Sequence, residues 1–277
     1  MKSISAPTII FTLIILLECL CPEFTISSKN RLLSPKEIVD TCTLSIGYLH
    51  RTYDPILEQT KCEDEILLIG SNHSWYGSYG AYMLDSLVNA NPEMSSEEFS
   101  QHYKSLDTFP QSLLKYFDTG LYRYAGHIFA NSYKYEEEIP LINWQICEET
   151  DTILEQECRK ATCDFRGRKW TAWYSETPIS DGPWMFTGLP GLILKLTDSE
   201  SEHIIEAFEL RTNSIPFGWE KRLYVKTSRE KYLRELADYK NDPWKLAETM
   251  VTEVKEADGT IAPRRKQKLF YNPIELE

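Results

Sequence analysis

Apolar and polar residues alternate with a period of two along much of this chain, and that pattern predicts strands. Cys42, Leu44, Ile46 and Tyr48 share one side of a run in which Thr43, Ser45 and Gly47 take the other, a half-buried strand. Residues 64–71 (DEILLIGS) are continuously apolar over a short length, which predicts a strand covered on both faces. Residues 121–133 (LYRYAGHIFANSY) read as one further strand, and in 140–149 Ile142, Trp144 and Ile146 fall on one face before a turn at EETD. LILKLTD and EHIIEAFELRT form two strands around the acidic turn DSESE, and EKRLYVKTS is the last strand candidate.

Two blocks follow the helical period instead. Residues 72–89 mix glycine and aromatics and then drift into a helix-like stretch, and Ser95 or Ser96 is placed to cap a helix with acidic residues in its first turn. Near the C-terminus Tyr232, Leu233, Leu236 and Tyr239 recur at helical spacing until the NDP tripeptide at 241–243 breaks the pattern.

The most constrained element is a hairpin. Arg166 and Gly167 separate CRKATCDF from RKWTAWYS. With those two residues as the turn, Phe165 faces Arg168, Cys163 faces Trp170 and Ala161 faces Ala172. Ala161, Cys163, Phe165, Trp170, Ala172 and Tyr174 then share one apolar face, so two independent alternations agree on one register. Cys163 falls in the core as a small buried hydrophobe, and Cys158 falls on the opposite face. Strands dominate, helices come in two blocks, and no repeat or linker divides the chain. The expected fold is α+β: a strongly twisted, half-barrel-like antiparallel sheet covered by helices, forming a single domain over 28–277.

The N-terminus stands apart. One Lys near the start precedes an apolar run from Ile9 to Leu17, too short to span a bilayer, which takes ~20 residues. It fits the apolar region of a secretory signal covering 1–27, with Thr25 and Ser27 as the small residues before the cut; an uncleaved anchor is the competing reading. Beyond it no apolar run approaches bilayer length, so no membrane span is expected after signal removal. Removal of the signal leaves Cys42, Cys62, Cys147, Cys158 and Cys163, an odd number, whose pairing stays open. Cys158 and Cys163 on one strand lie about 16 Å apart, beyond disulfide reach.

Charge and motifs exclude several classes. Thirty Lys and Arg against 42 Asp and Glu give a net charge of −12, which speaks against nucleic acid as a partner. The five histidines lack metal-ligand spacing, so no metal is expected, and no cofactor motif occurs: neither a phosphate-binding loop nor a dinucleotide fingerprint is present. No serine-hydrolase elbow occurs either. Carboxylates are plentiful (Glu136 to Glu138, Glu148, Glu149, Asp151), but sequence does not give their separation, and a solvated acidic surface is the simpler reading.

One loop carries unusual chemistry. Residues 176–191 hold Gly182, Pro183, Gly188, Pro190 and Gly191 around Trp184, Met185 and Phe186. Leu189 to Leu192 suits a type II turn, with Pro190 second and Gly191 third at positive φ. Either Trp184 and Phe186 close the core as a lid, the reading residue types favour, or with Trp173 they wall a ligand mouth.

The stretch from Tyr135 to Asp198 resembles the GLPGLI family of Bacteroidetes, whose hexapeptide stands at 188–193. The likeness includes Cys158, Lys160, Ala161 and Thr162, the turn Phe165 to Arg168 with Gly167 at its centre, Ala172 to Tyr174, and Ile179 with Gly182 and Pro183. Upstream, 64–79 is similar to a family segment, but Trp75 stands where Phe is usual and Gly77 where Ser is usual. The ending YNPIELE also fits, and the likeness runs from about residue 40 to the C-terminus. It implies an exported protein of the periplasm or outer surface of a Gram-negative bacterium, of a kind often encoded near outer-membrane receptors. It assigns no catalytic residue. The expected function is therefore a non-enzymatic cell-envelope protein that binds an outer-membrane receptor, another envelope protein, or a small apolar or sugar-like ligand. The alternatives are an envelope hydrolase with paired carboxylates and a purely structural protein.

Overall fold

In the computed structural model the structure describes residues 36–91, 93–106, 111–245 and 268–277. The signal segment, the basic run before Lys268 and the helical pattern beyond Lys245 lie outside them. Twelve strands form one sheet: β1 (Lys36–Asp54), β2 (Gln59–Ile69), β3 (His73–Ser78), β4 (Ser112–Tyr116), β5 (Leu121–Ile128), β6 (Asn131–Glu138), β7 (Gln145–Ile153), β8 (Gln156–Phe165), β9 (Arg168–Ser175), β10 (Leu192–Asp198), β11 (His203–Glu220) and β12 (Val225–Lys226). Among the described residues three helices accompany them: α1 (Tyr79–Ala90), α2 (Ser96–Ser105) and α3 (Arg229–Asn241).

The strand order is β12-β6-β5-β4-β3-β2-β1-β11-β10-β9-β8-β7. The chain runs outward from β1 to β6, crosses to the far edge at β7, and returns through β11 to pair with β1 again. Every neighbouring pair is antiparallel except β12 with β6. The sheet keeps two edges, β12 and β7, so it is not closed into a barrel. It bends strongly nonetheless: Arg166, in the β8–β9 turn, comes within 3.8 Å of Glu137 on β6, although β6 and β8 are each one strand in from opposite edges. The molecule is a single sheet-dominated domain with a few helices.

The bend gives the sheet two unequal faces. The inner face, with Ile46, Tyr48, Leu67, Tyr76, Leu113, Tyr124, Ala161, Trp170, Tyr174 and Ile205, surrounds the main core, which Tyr232 and Leu236 of α3 complete. The outer face carries a smaller core of Cys42, Ile66, Leu68, Leu114, Ala125, Phe217 and Trp219, against which Tyr79 and Tyr82 of α1 pack. β2 is therefore covered on both faces from Glu65 to Ile69, as its unbroken apolar run requires.

The β8–β9 hairpin has the expected register, Phe165 opposite Arg168 and Ala161 opposite Ala172, with Arg166 at φ 51° and Gly167 at φ 78° in a two-residue turn. Cys163 is buried as expected, and Cys158 is buried too. Ser95, not Ser96, caps α2, through a reciprocal capping box with Glu98.

Several expectations are corrected. β1 is not a simple half-buried strand: register shifts at Cys42/Leu44 and Gly47/Tyr48 move Cys42 to the outer core while Ile46 and Tyr48 stay inside, and both faces are covered from Ser45 to Tyr48. Residues 121–133 hold a hairpin, β5 and β6, because Phe129 takes φ 54° and turns the chain. EETD lies within β7, whose turn falls at Leu154 and Glu155, both at positive φ. The strand expected at 220–228 reduces to two residues, while β11 runs on to Glu220. Among the described residues no helix is long and apolar enough to cross a membrane.

Candidate functional site

The loop 176–191 leaves β9 and folds inward before β10 begins. Its stem is held by close backbone approach. An added Cβ on Gly191 would meet the Ser175 carbonyl oxygen at 2.0 Å, and one on Gly182 would meet Ile193 at 2.8 Å. Ile193 N–H donates to the Asp181 carbonyl at 2.9 Å, and Trp144 Nε1 donates to the Thr187 carbonyl at 2.8 Å. The expected type II turn is corrected here: Gly188 takes φ 91°, while Gly191 is required by the approach of Ser175 and has no positive φ.

Met185, Phe186 and Leu189 sit inside the main core. The Phe186 ring lies 4.9 Å from Trp170 and 5.3 Å from Phe165. Trp184 differs in two respects. It is half-buried, and it adopts φ 53°, a conformation that costs a bulky L-residue about 1–2 kcal/mol. Its indole meets Tyr124 at 5.7 Å and Tyr76 at 6.4 Å, both edge-on, and its Nε1 donates to Glu275 at 2.9 Å. Trp173 alternates with Ala172 and Tyr174 and stands between Lys160 and Lys195 of the neighbouring strands, on the other face of β9. The structure thus brings Trp184 and Phe186 to the inner side, while Trp173, half-buried, packs against the main core from its place between those lysines. Pro183 is buried beside Trp184, Pro190 is exposed at the loop's end, and Arg168 opens β9 next to Gly167.

Three polar clusters surround this loop. Lys115 of β4 donates to the Asp181 carboxylate and, at 3.0 Å, to the Gly182 carbonyl, with both charged side chains fully enclosed. Burial pulls the Lys115 ammonium below its ordinary pKa, and the Asp181 charge works against that. Under the loop, Tyr76 donates to Glu65, Glu65 meets His50 Nδ1 at 3.2 Å, and His50 Nε2 meets His203 Nδ1 at 3.0 Å. The third cluster holds the C-terminal segment. Arg168 meets Asp198 at 2.7 Å and Glu202 at 2.9 Å, and it also donates to Asn272 and the Pro273 carbonyl. Arg229, the first residue of α3, binds Glu275 at 3.0 Å, with Arg166 at 3.8 Å.

Sequence patterns missed most of these groups. Lys115 was legible in principle, because it shares a face with the inward Leu113 in an otherwise apolar strand. Arg229 and Glu275 carry no local signal, since only the tertiary fold brings them together. Among the described residues no group of three His, Cys, Asp or Glu is arranged to hold a metal ion.

Residues 166–195 match the model of a protein family of unknown function, Porph_ging. The matched stretch is the β8–β9 turn, β9, the inward loop and the start of β10. No curated protein matches the chain. Among solved structures, PNGF-II in a C2 crystal form is similar with a TM-score of 0.50 and 13% identity over 73% of this chain, and in a P21 form with 0.49 and 14%. The matched region is 34% of PNGF-II, so this chain spans about a third of that protein's length, and at this identity the likeness shows the fold alone. A domain described as an outer membrane lipoprotein-sorting protein from Vibrio parahaemolyticus matches with a TM-score of 0.23 and 8% identity, over 61% of this chain and 84% of that one.

Proposed function

We propose that the protein is an exported cell-envelope protein of the GLPGLI type, in the periplasm or on the surface of a Gram-negative bacterium, and that it binds rather than catalyses. The domain expected over 28–277 is its binding unit, and the inward loop is the centre of its site. The observation that carries this reading is Trp184. A tryptophan held at φ 53° beside two inner-face tyrosines keeps a strained conformation because its surroundings impose it, and such strain concentrates at binding sites. Its flat ring with neighbouring hydroxyls and a carboxylate suits a sugar-like or apolar body, or the side chain of an envelope partner such as an outer-membrane receptor. Phe186 is the packed floor behind it.

The hydrolase alternative has less support. A retaining or inverting pair needs one carboxyl with a raised pKa. The acids that converge here, Asp198 with Glu202 and Glu137 with Glu275, surround arginines. The Asn272 amide and the Arg168 guanidinium hold Glu202 below the usual carboxylate range. The test is native mass spectrometry of protein isolated from its own envelope. A co-purifying molecule or partner that Trp184→Ala loses supports the reading. A wild-type protein that carries nothing in either form removes it.

A further inference from the structure

Residues 268–277 form neither helix nor strand, yet they are gripped along their length. Tyr271 N–H donates to Asp54 Oδ2 at 2.9 Å. Asn272 donates to the Tyr53 carbonyl at 2.7 Å and to Glu202 at 2.9 Å, and accepts from Arg168. Arg168 donates to the Pro273 carbonyl at 3.0 Å. Glu275 receives Trp184 Nε1 at 2.9 Å and Arg229 at 3.0 Å. Leu276 N–H donates to the Arg166 carbonyl at 2.9 Å, and Arg229 also donates to the Glu277 carbonyl.

Three features make this a recognition groove and not only a resting place. Its cations come from rigid elements: Arg166 from a two-residue turn, Arg168 from β9, Arg229 from the first turn of α3. Arg229 is less than one-tenth exposed, so the Glu275 carboxylate placed on it is bound with little screening by water, while the equally buried Arg168, already paired with Asp198 and Glu202, donates to the neutral oxygens of Asn272 and Pro273. The grip uses main-chain groups at Tyr271, Pro273, Leu276 and Glu277, and only two polar side chains, Asn272 and Glu275, three positions apart. That is how extended peptides are read: the backbone supplies affinity and spaced side chains supply specificity.

We propose that this groove is a peptide-recognition site for an extended acidic segment with Asn-Pro-x-Glu chemistry, presented by another protein of the envelope, and that the chain's own C-terminal segment is the competitor occupying it in cis. The inference rests on the binding reading above and names the partner's chemistry. Because the cis segment is tethered, its effective concentration is on the order of millimolar, and a partner gains access when the cis grip weakens. Trp184 sits between this groove and the inner tyrosines, so occupancy changes the setting of its indole.

The test is titration of a synthetic peptide with the sequence of residues 270–277 into the full-length protein, read by tryptophan fluorescence and calorimetry. The peptide is expected to bind the Asn272→Ala protein about tenfold or more tightly than the wild type, because that change weakens the cis competitor. A peptide carrying Glu275→Gln is expected to lose about tenfold or more, as loss of one charge-assisted contact implies. If Asn272→Ala fails to fold, the Glu275→Gln protein serves in its place with the unmodified peptide. No binding at millimolar peptide, equal binding to wild type and weakened protein, or equal binding of the Gln peptide each overturns the proposal. Peptide titration needs no native ligand. Its failure with a Trp184-dependent molecule still co-purifying would therefore remove the groove and leave the wider binding reading standing.

Discussion

Lys115 and Asp181 stand 66 positions apart in the chain and form an ion pair inside the protein, with side-chain exposures of 0% and 2%. The pair pins the inward loop to β4, on the far side of β1 from the loop's own strands. Removing one partner of such a pair strands a charge, at about 3–5 kcal/mol. Lys115→Met is expected to cost that amount, because Asp181 is left enclosed with its charge. Asp181→Leu is expected to cost less, because burial already favours loss of the Lys115 proton. The double variant Lys115→Met, Asp181→Leu should recover most of the loss. Urea unfolding of the three variants decides the matter, and a double variant as unstable as Lys115→Met would count against the argument.

Gly188 and Gly191 are two glycines of the same hexapeptide with different reasons to be glycine. Gly188 needs its positive φ, with only Trp144 atoms at 3.9 Å near an added Cβ. Gly191 has an ordinary φ but no room, since the Cβ would fall 2.0 Å from a carbonyl oxygen. Gly188→Ala should therefore cost about 1 kcal/mol. Gly191→Ala should cost more, about 2–3 kcal/mol, because the β9–β10 pairing must open to admit it. Thermal unfolding that ranks the two in the opposite order would refute this division of roles.

What the sequence made legible followed from local agreement. The Arg166–Gly167 hairpin was readable because two alternating strands and one turn demand the same register, and the start of α2 was readable to within Ser95 or Ser96 because a serine there precedes acidic residues. The unreadable features were those that local pattern does not encode. A bulge at Cys42/Leu44 shifts face without changing composition. Phe129 makes a turn with neither Gly nor Pro to announce it. Arg229 and Glu275 meet across 46 positions, through a segment that has no periodicity of its own. The inward loop itself was visible as glycines and prolines, but the reason for Gly191 was not, since a close approach is a property of two strands at once.

The cysteines give a solution test of the interior. Among the described residues Cys42, Cys62, Cys147, Cys158 and Cys163 are all free thiols, and no two of them form a disulfide. Burial lifts the Cys42 and Cys158 thiols and pushes Cys163 up to about 12. Of these five, only Cys62 and Cys147 are then expected to react with an alkylating reagent at pH 8 in the native protein, and all five after denaturation. Peptide mapping of the alkylated residues checks the order. Rapid native labelling of Cys163 would mean that the β8–β9 face opens far more readily than its packing implies.

His50 and His203 share a hydrogen bond of 3.0 Å but respond to acid in opposite ways. Burial, the His50 charge and nearby Arg168 hold His203 down to about 2. For His50, burial works toward the neutral form, but the Glu65 carboxylate outweighs it and holds the imidazole above its ordinary value. The unfolded chain protonates both near pH 6.5. As pH falls below that point, His203 takes up a proton only on unfolding, so it withdraws stability at up to about 1.4 kcal/mol per pH unit. His50 acts the other way: its contribution is complete below the unfolded pKa and is lost as pH rises through its higher folded pKa. His203→Asn, which can still meet His50, should therefore flatten the fall in unfolding free energy between pH 6.5 and 4. His50→Gln should not steepen that fall, and should instead remove the loss of stability that the wild type shows as pH rises above 6.5. Imidazole resonances give an independent reading: His203 should show no titration between pH 5 and 8. A midpoint near 6.5 for His203 would mean that its ring is reached by water in the folded protein and that the buried polar chain under the inward loop is open.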